Sequence, residues 1–194
     1  MDAAQGRDHR AGADVRRPQQ LTLDSARAGA DFSDDGLYRY RLWRSWGSVE
    51  APTCLWVMLN PSTADARADD PTITRCSRRA RDWGYGGISV VNLFAYRATD
   101  PKLLRAVDDP IGPLNDAAIT SEAAAAALII CAWGEHGKYR DRAAQVLRML
   151  EGAKLYSLGR NRDGTPSHPL YIPYHEVPNP FPQAPPWTRP RSRA

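Results

Sequence analysis

The sequence predicts an α/β fold, in which helices cover both faces of a central, mostly parallel four-stranded sheet in a three-layer α/β/α arrangement. Four short apolar runs, each bounded by turn residues, have the length of strands buried on both faces: residues 54–59, 88–94, 128–132 and 154–158. Segments with helical spacing separate these runs, and such alternation is typical of parallel sheets. One further strand, antiparallel to the core, is predicted N-terminal to them.

The length of 194 residues and the hydrophobic content of 42% favour one domain with a substantial core. Residues 1–27 are rich in Ala, Gly, Asp, Arg and Gln, which predicts a disordered basic arm. Residues 28–174 are predicted to form the single α/β domain. Residues 175–194 form a proline-rich tail, which we expect to pack through Phe181 and Trp187.

The composition argues against several classes of protein. No apolar run is long enough to span a membrane, and the N-terminus has no apolar signal region, so we expect a cytoplasmic protein with no membrane partner. Cys54, Cys76 and Cys131 lack paired spacing, which favours small buried hydrophobes over a metal site, and no cofactor is expected. The formal net charge of +4 is compatible with nucleic acid without requiring it, and the sequence does not fix an oligomeric state.

The antiparallel strand is predicted from alternation. Residues 37–43 alternate Tyr38, Tyr40 and Leu42 with arginines, a period of two that indicates a strand with one wet, basic face. We expect this strand to pair antiparallel with residues 55–59, across a loop that contains Gly47.

The predicted helices follow in order. Asp70 and Pro71 are a helix start, with apolar residues at helical spacing behind them and a helix end at Gly84. A short helix follows Asp100, and further helices are predicted over residues 115–127 and 139–150. Residues 164–171, rich in Gly and Pro, are predicted to be a loop without regular structure.

Four polar or tight-turn positions lie at the end of, or just past, predicted parallel strands: Asn60, Asn92, Gly134 and His168. The carboxyl ends of parallel strands lie at one edge of the sheet, where ligands bind in open α/β folds. The sequence therefore predicts a pocket at this edge.

Each side chain has a local alternative. Asn60 either caps the turn that follows it or contacts a ligand, and these roles are compatible. Asn92 either satisfies a neighbouring loop or reads the edge of a heterocycle. His168, in a loop with Pro169, is expected to donate to developing negative charge. There is no glycine-rich phosphate loop, Gly-x-Ser-x-Gly elbow or zinc-ligand spacing.

Longer motifs carry a resemblance over almost all of residues 32–171. These are Tyr38-Arg-Tyr40, Leu59-Asn-Pro-Ser-Thr-Ala-Asp65, Asp70-Pro-Thr72, Asn92-Leu-Phe94, Trp133-Gly134 and Gly164-x-Pro-x-His-Pro-Leu-Tyr171. On these motifs the chain is identified as a member of an uncharacterised bacterial and phage family, domain of unknown function 1643. This family carries no settled activity.

The order of four features also resembles the uracil-DNA glycosylase superfamily: Asn60-Pro61, Asn92 ending a strand, an apolar strand ending in Trp133-Gly134, and His168-Pro169. The resemblance implies a three-layer fold of that type. It implies that Asn60 positions the hydrolytic water and that His168 donates to a carbonyl oxygen of the base.

The same resemblance implies further roles. Asn92 contacts the base, with Pro61, Ser62 and Phe94 beside it, and Leu170 or Tyr171 fills the vacated stack. Asn60 is an amide and cannot be a general base, so Asp65 or Asp70 is the alternative acid or base. Phosphate contacts are expected from Thr63 and from a helix that carries Arg75, Arg78 and Arg79.

The resemblance implies a DNA-glycosylase-like hydrolase that acts on the N-glycosidic bond of a flipped, uracil-like or modified base, with DNA as partner. Two alternatives stay open. One is a non-catalytic module that binds a nucleobase, a nucleotide or nucleic acid, and the other is a hydrolase of free nucleosides or nucleotides. The remaining interpretation is a structural α/β domain with a turn-rich edge and no binding or catalytic site.

Overall fold

A computed structural model describes residues 28–62 and 69–183. The strands are β1 (Ala28–Phe32), β2 (Arg39–Ser45), β3 (Thr53–Met58), β4 (Gly87–Asn92), β5 (Leu128–Cys131), β6 (Leu155–Ser157) and β7 (Asn179–Pro180). The helices are α1 (Pro71–Asp82), α2 (Asn115–Ala125) and α3 (Arg142–Met149), with 3₁₀ helices at Pro101–Arg105, Glu135–Asp141 and Pro169–Tyr171. The predicted arm 1–27, Thr63, Asp65 and Trp187 lie outside the described residues.

One seven-stranded sheet has the order β1-β2-β4-β3-β5-β6-β7. Its centre, β4-β3-β5-β6, is parallel throughout, which confirms the predicted four-stranded core. The edges are antiparallel, with β1 and β2 on one side and β7 on the other. The mostly parallel sheet follows from the alternation of strands and helices along the chain.

The predicted pairing of the second strand is wrong. β2 lies antiparallel to β4, with Leu42 opposite Val90 and Ser45 opposite Gly87, and does not pair with β3. The physical reason is that β3 is flanked on both sides by parallel strands, β4 and β5, so that neither edge is open. The outer edge of β4 is the one that accepts β2.

Two hydrophobic clusters lie on opposite faces of the sheet, which confirms the three layers. On one face α1 packs Ile73, Cys76 and Ala80 among strand residues such as Leu42 and Trp56. On the other face α2 and α3 supply Ile119, Val146 and Leu147. Since both faces are covered, the central strands are buried along almost their whole length, as the apolar runs predict.

Helix α1 begins as predicted. The carboxylate of Asp70 accepts from the Ile73 N–H at 2.8 Å, and Pro71 takes the first helical position. Helix α3 begins at Arg142, three residues later than the predicted start, because Tyr139 is extended and Arg140 and Asp141 have positive φ. The last three residues of the predicted loop 164–171 form a 3₁₀ turn.

Part of the predicted tail belongs to the core. Phe181 is 4% exposed, and its ring lies edge-on to Trp133 at 5.8 Å between centroids. The three cysteines are buried and free, as predicted, and burial raises the pKa of each thiol. None of the helices in the described residues has the length and apolar character needed to cross a bilayer.

Candidate functional site

A cleft of about 680 Å³ opens at the carboxyl ends of the parallel strands. Segments that follow β3, β4, β5 and β6 all contribute to it, as expected for an open α/β sheet. Asn60, Gly134 and His168, three of the four positions predicted to gather at this edge, line the cleft. The lining residues are Leu59, Asn60, Thr99, Pro101, Trp133, Gly134, Glu135, His136, Asn161, His168 and Tyr171.

The amide of Asn60 has a fixed orientation. Its Nδ2 donates to the carbonyl of Pro61 at 3.1 Å and to the carbonyl of Ala98 at 2.6 Å. Because both partners are acceptors, nitrogen must occupy this position and Oδ1 must point the other way. Asn60 therefore ties two loops together and offers a hydrogen-bond acceptor, so the local role and the ligand role predicted for it are compatible.

The imidazole of His168 has a defined tautomer. Burial lowers the pKa of His168 below its usual value, although the charge of Asp70 acts in the opposite direction. Its Nδ1 accepts from the Leu170 N–H at 3.3 Å. A neutral imidazole that accepts at Nδ1 carries its proton on Nε2, so His168 is a hydrogen-bond donor through Nε2.

Two arginines of α1 anchor the segment that carries His168. Arg75 donates to the carbonyls of Pro169 and Ile172, the shorter distance being 2.6 Å. Arg79, 1% exposed, donates to four main-chain carbonyls of residues 172–176. These guanidinium groups were predicted to contact phosphate. In the structure Nε and Nη2 of Arg75 and both terminal nitrogens of Arg79 donate to the protein's own backbone, and a phosphate contact stays a prediction.

The other predicted residues of this region lie on α1 or contact its N-cap. The Ser62 hydroxyl donates to Asp70 Oδ2 at 3.1 Å, and Asp70 Oδ1 caps the helix. Arg78 lies on the exposed side of α1, where it stacks on Tyr174 at 4.3 Å and approaches Asp82 at 3.9 Å. None of these side chains is among those that line the cleft.

Asn92 and Phe94 are buried and do not line the cleft, so base contacts by them stay predictions. The chain around them is held by polar groups that sequence reasoning missed. Nδ2 of Asn115 donates to the carbonyls of Asn92 and Leu93, both at 3.0 Å. The Leu93 carbonyl also accepts from Arg142, which forms an ion pair with Asp116. Pro61, the other predicted base neighbour, is buried too.

The two predicted wedge residues differ in exposure. Tyr171 is 80% exposed, lines the cleft, and has its ring centroid 6.0 Å from that of His168. Leu170 is half-buried and does not line the cleft. Of the two, Tyr171 is therefore the one placed beside the imidazole.

The cleft has further polar walls that sequence reasoning missed: Thr99, Glu135, His136 and Asn161. The signal for Glu135 and His136 was present, because they follow the tight turn at Gly134, which has φ of 73°. The amide of Asn161 is engaged inside its own loop. It donates to Thr165 Oγ1 at 2.9 Å and accepts from the Ser167 hydroxyl at 3.0 Å.

A smaller hollow of about 240 Å³ adjoins the cleft and shares Pro101 and His136 with it. Two exposed cations, Lys102 and Arg105, line it, and Arg105 lies 5.0 Å from the centroid of the Tyr139 ring. The described residues contain no group of three or more His, Cys, Asp or Glu side chains placed to hold a metal ion.

Comparison with known protein families gives a match over most of the chain. A family model described as "Protein of unknown function (DUF1643)" covers residues 39–170. No curated protein and no solved structure matches the chain. The predicted resemblance to the uracil-DNA glycosylase superfamily therefore stays a prediction.

Proposed function

We propose that this chain, which belongs to the DUF1643 family, is a hydrolase of N-glycosidic bonds that holds a flipped, uracil-like or modified base in its cleft. The observation that carries this proposal is that Asn60 and His168, far apart along the chain, line the same cleft. One presents an acceptor, Oδ1, and the other a donor, Nε2–H.

This pair matches the chemistry of glycosidic hydrolysis. When the bond between C1′ and the base nitrogen breaks, negative charge develops on the base and is delocalised onto its carbonyl oxygen. A neutral imidazole whose proton is on Nε2 donates a hydrogen bond to this oxygen and so stabilises the negative charge. An acceptor such as Oδ1 of Asn60 orients a water molecule toward C1′.

DNA is the substrate that the surroundings of the cleft favour. Lys102 and Arg105 lie in the hollow beside the cleft, where they meet the phosphates that flank a base bound in the cleft. The exposed ring of Tyr171 takes the place of the extruded base in the stack. These cations replace the α1 arginines as the first candidates for phosphate contact.

A second candidate function is a module that binds a nucleobase without cleaving it. The specific observation in its favour is the identity of Asn60, since an amide cannot accept the proton of the attacking water. A third, hydrolysis of free nucleosides or nucleotides, predicts activity on small substrates that persists at high salt, where binding through phosphates collapses.

The test is base release from oligonucleotides that contain uracil, hypoxanthine or another modified base, scored as alkali-labile abasic sites under single-turnover conditions. We expect His168→Ala to lower the rate by about 100-fold or more, as for the loss of one donor to developing charge. His175→Ala, whose side chain is 80% exposed, is the matched control and should retain the rate. Tight binding of these oligonucleotides without base release by excess protein would favour the binding module.

A further inference from the structure

Hydrolysis at this cleft needs a group that accepts the proton of water, and several carboxylates of the described residues lie near it. Asp100, between the lining residues Thr99 and Pro101, accepts from the Lys102 N–H at 2.9 Å as the cap of a 3₁₀ helix. Asp70 is engaged at both oxygens, by the Ile73 N–H and by the Ser62 hydroxyl. Burial acts to raise the pKa of Asp163, but Lys138 and hydrogen bonds from Thr165 outweigh it and lower the pKa to about 2. A carboxylate with so low a pKa is a poor base.

Glu135 differs from these carboxylates. Glu135 lines the cleft that Asn60 and His168 also line, whereas Asp70, Asp100 and Asp163 do not. Within residues 28–62 and 69–183 its carboxylate makes no hydrogen bond and no ion pair. Both of its oxygens are therefore open to a water molecule or a ligand.

The main chain on either side of Glu135 is held in place by contacts with the loop of His168 and with Trp133. The Gly134 N–H donates to the Pro166 carbonyl at 2.9 Å, two residues before the histidine. On the other side, Gly137 packs so tightly on Trp133 that a Cβ would meet the indole at 2.3 Å. Glu135 thus extends from a turn that is bonded on one side and packed on the other, which is what positioning a reacting group requires.

We propose that Glu135 is the general base of this cleft, an inference that rests on the proposed function. Its carboxylate takes one proton from the water that Asn60 orients. The water oxygen forms a bond to C1′ as the bond from C1′ to the base nitrogen breaks, and the electron pair leaves with the base. His168 stabilises the departing anion from Nε2, and the base then takes up the proton held by Glu135. The products are the free base and a sugar with a hydroxyl at C1′, so no oxidant or metal is needed.

The test compares chemistry with binding in the full chain. Base release is measured in single turnover on an oligonucleotide with one deoxyuridine and on one with deoxyinosine. Binding is measured separately with the 2′-fluoro analogues, which resist cleavage. We expect Glu135→Gln to slow release by about 100-fold or more, the usual contribution of a general base, with binding of the analogue unchanged. Glu151→Gln, an exposed carboxylate outside the cleft, is the matched control and should behave as the unchanged chain.

Chemical rescue separates a base from a structural residue. Added formate should restore part of the rate of Glu135→Ala and leave His168→Ala unchanged, because formate replaces only the missing carboxylate. Glu135 variants that release base at the full rate, while His168→Ala does not, would overturn the inference and leave the proposed function standing. Loss of analogue binding as large as the loss of rate would also overturn it. If the unchanged chain releases no base from either probe, the proposed function itself fails.

Discussion

Replacement of Arg79 by lysine tests how the His168 segment is held. The Arg79 guanidinium donates to the carbonyls of Ile172 at 2.7 Å, Pro173 at 2.8 Å, Glu176 at 3.1 Å and Tyr174 at 3.3 Å. In the arginine, the two terminal nitrogens of the planar guanidinium each donate to two of these carbonyls. Lysine keeps the positive charge, but its single ammonium group, at the end of a flexible side chain, cannot reach all four carbonyls. The Ile172 carbonyl keeps its bond from Arg75, so the carbonyls of Pro173, Tyr174 and Glu176 are the ones that lose a partner or keep only a weaker bond.

The magnitude follows from these bonds. A hydrogen bond to a charged group contributes about 1.5–3 kcal/mol, and the contributions of neighbours are not additive. We expect Arg79→Lys to lower the free energy of unfolding by about 2–4 kcal/mol. Arg79→Ala, which also leaves a cavity, should lose more, about 3–5 kcal/mol, out of a total that is typically about 5–15 kcal/mol.

The assay is urea unfolding of both arginine variants, with hydrogen exchange at residues 170–176 as the local measurement. Arg78→Lys is the matched control, because that side chain is 63% exposed and its contacts among the described residues are the Tyr174 ring at 4.3 Å and the Asp82 carboxylate at 3.9 Å. Its cost should stay within about 1 kcal/mol. If Arg79→Lys were no more destabilising than Arg78→Lys, and exchange at 170–176 were unchanged, the anchoring role of Arg79 would be refuted.

Because burial lowers the folded-state pKa of His168, the unfolded state binds more protons below about pH 6.5, so the free energy of unfolding should fall on acidification through that range. His168→Gln should flatten this fall in urea titrations at successive pH values, and an unchanged slope would contradict the assignment. Lys102→Ala and Arg105→Ala should each weaken oligonucleotide binding and reduce the steepness of log affinity against log salt concentration by about 1. An unchanged salt dependence would show that these two side chains do not contact the phosphates of the bound oligonucleotide. Gly137→Ala should lower the free energy of unfolding by about 1–3 kcal/mol, because the added Cβ would lie 2.3 Å from the Trp133 side chain. If urea unfolding gave this variant the same free energy of unfolding as the unchanged chain, the turn would have room for the Cβ and the prediction would be wrong.

Local signals in the sequence determined much of the fold. The start of α1 follows from the cap at Asp70 and the fixed φ of Pro71, which act within a few residues. The four core strands follow from continuous apolar runs, since only a strand covered on both faces needs them. Parallel strands place their carboxyl ends together, so the meeting of Asn60 and His168 at one cleft was also predictable.

The tertiary structure decided what depends on competition between distant groups. β2 pairs with β4 because both edges of β3 are taken, and no feature of β2 itself reveals this. Arg75 and Arg79 look like phosphate ligands in the sequence, but main-chain carbonyls far along the chain reach them. Glu135 lines the cleft because a turn after β5 is bonded to the loop before His168. A side chain's type and spacing fix which bonds it is able to make, whereas the partner it finds depends on which backbone the folded chain brings within reach.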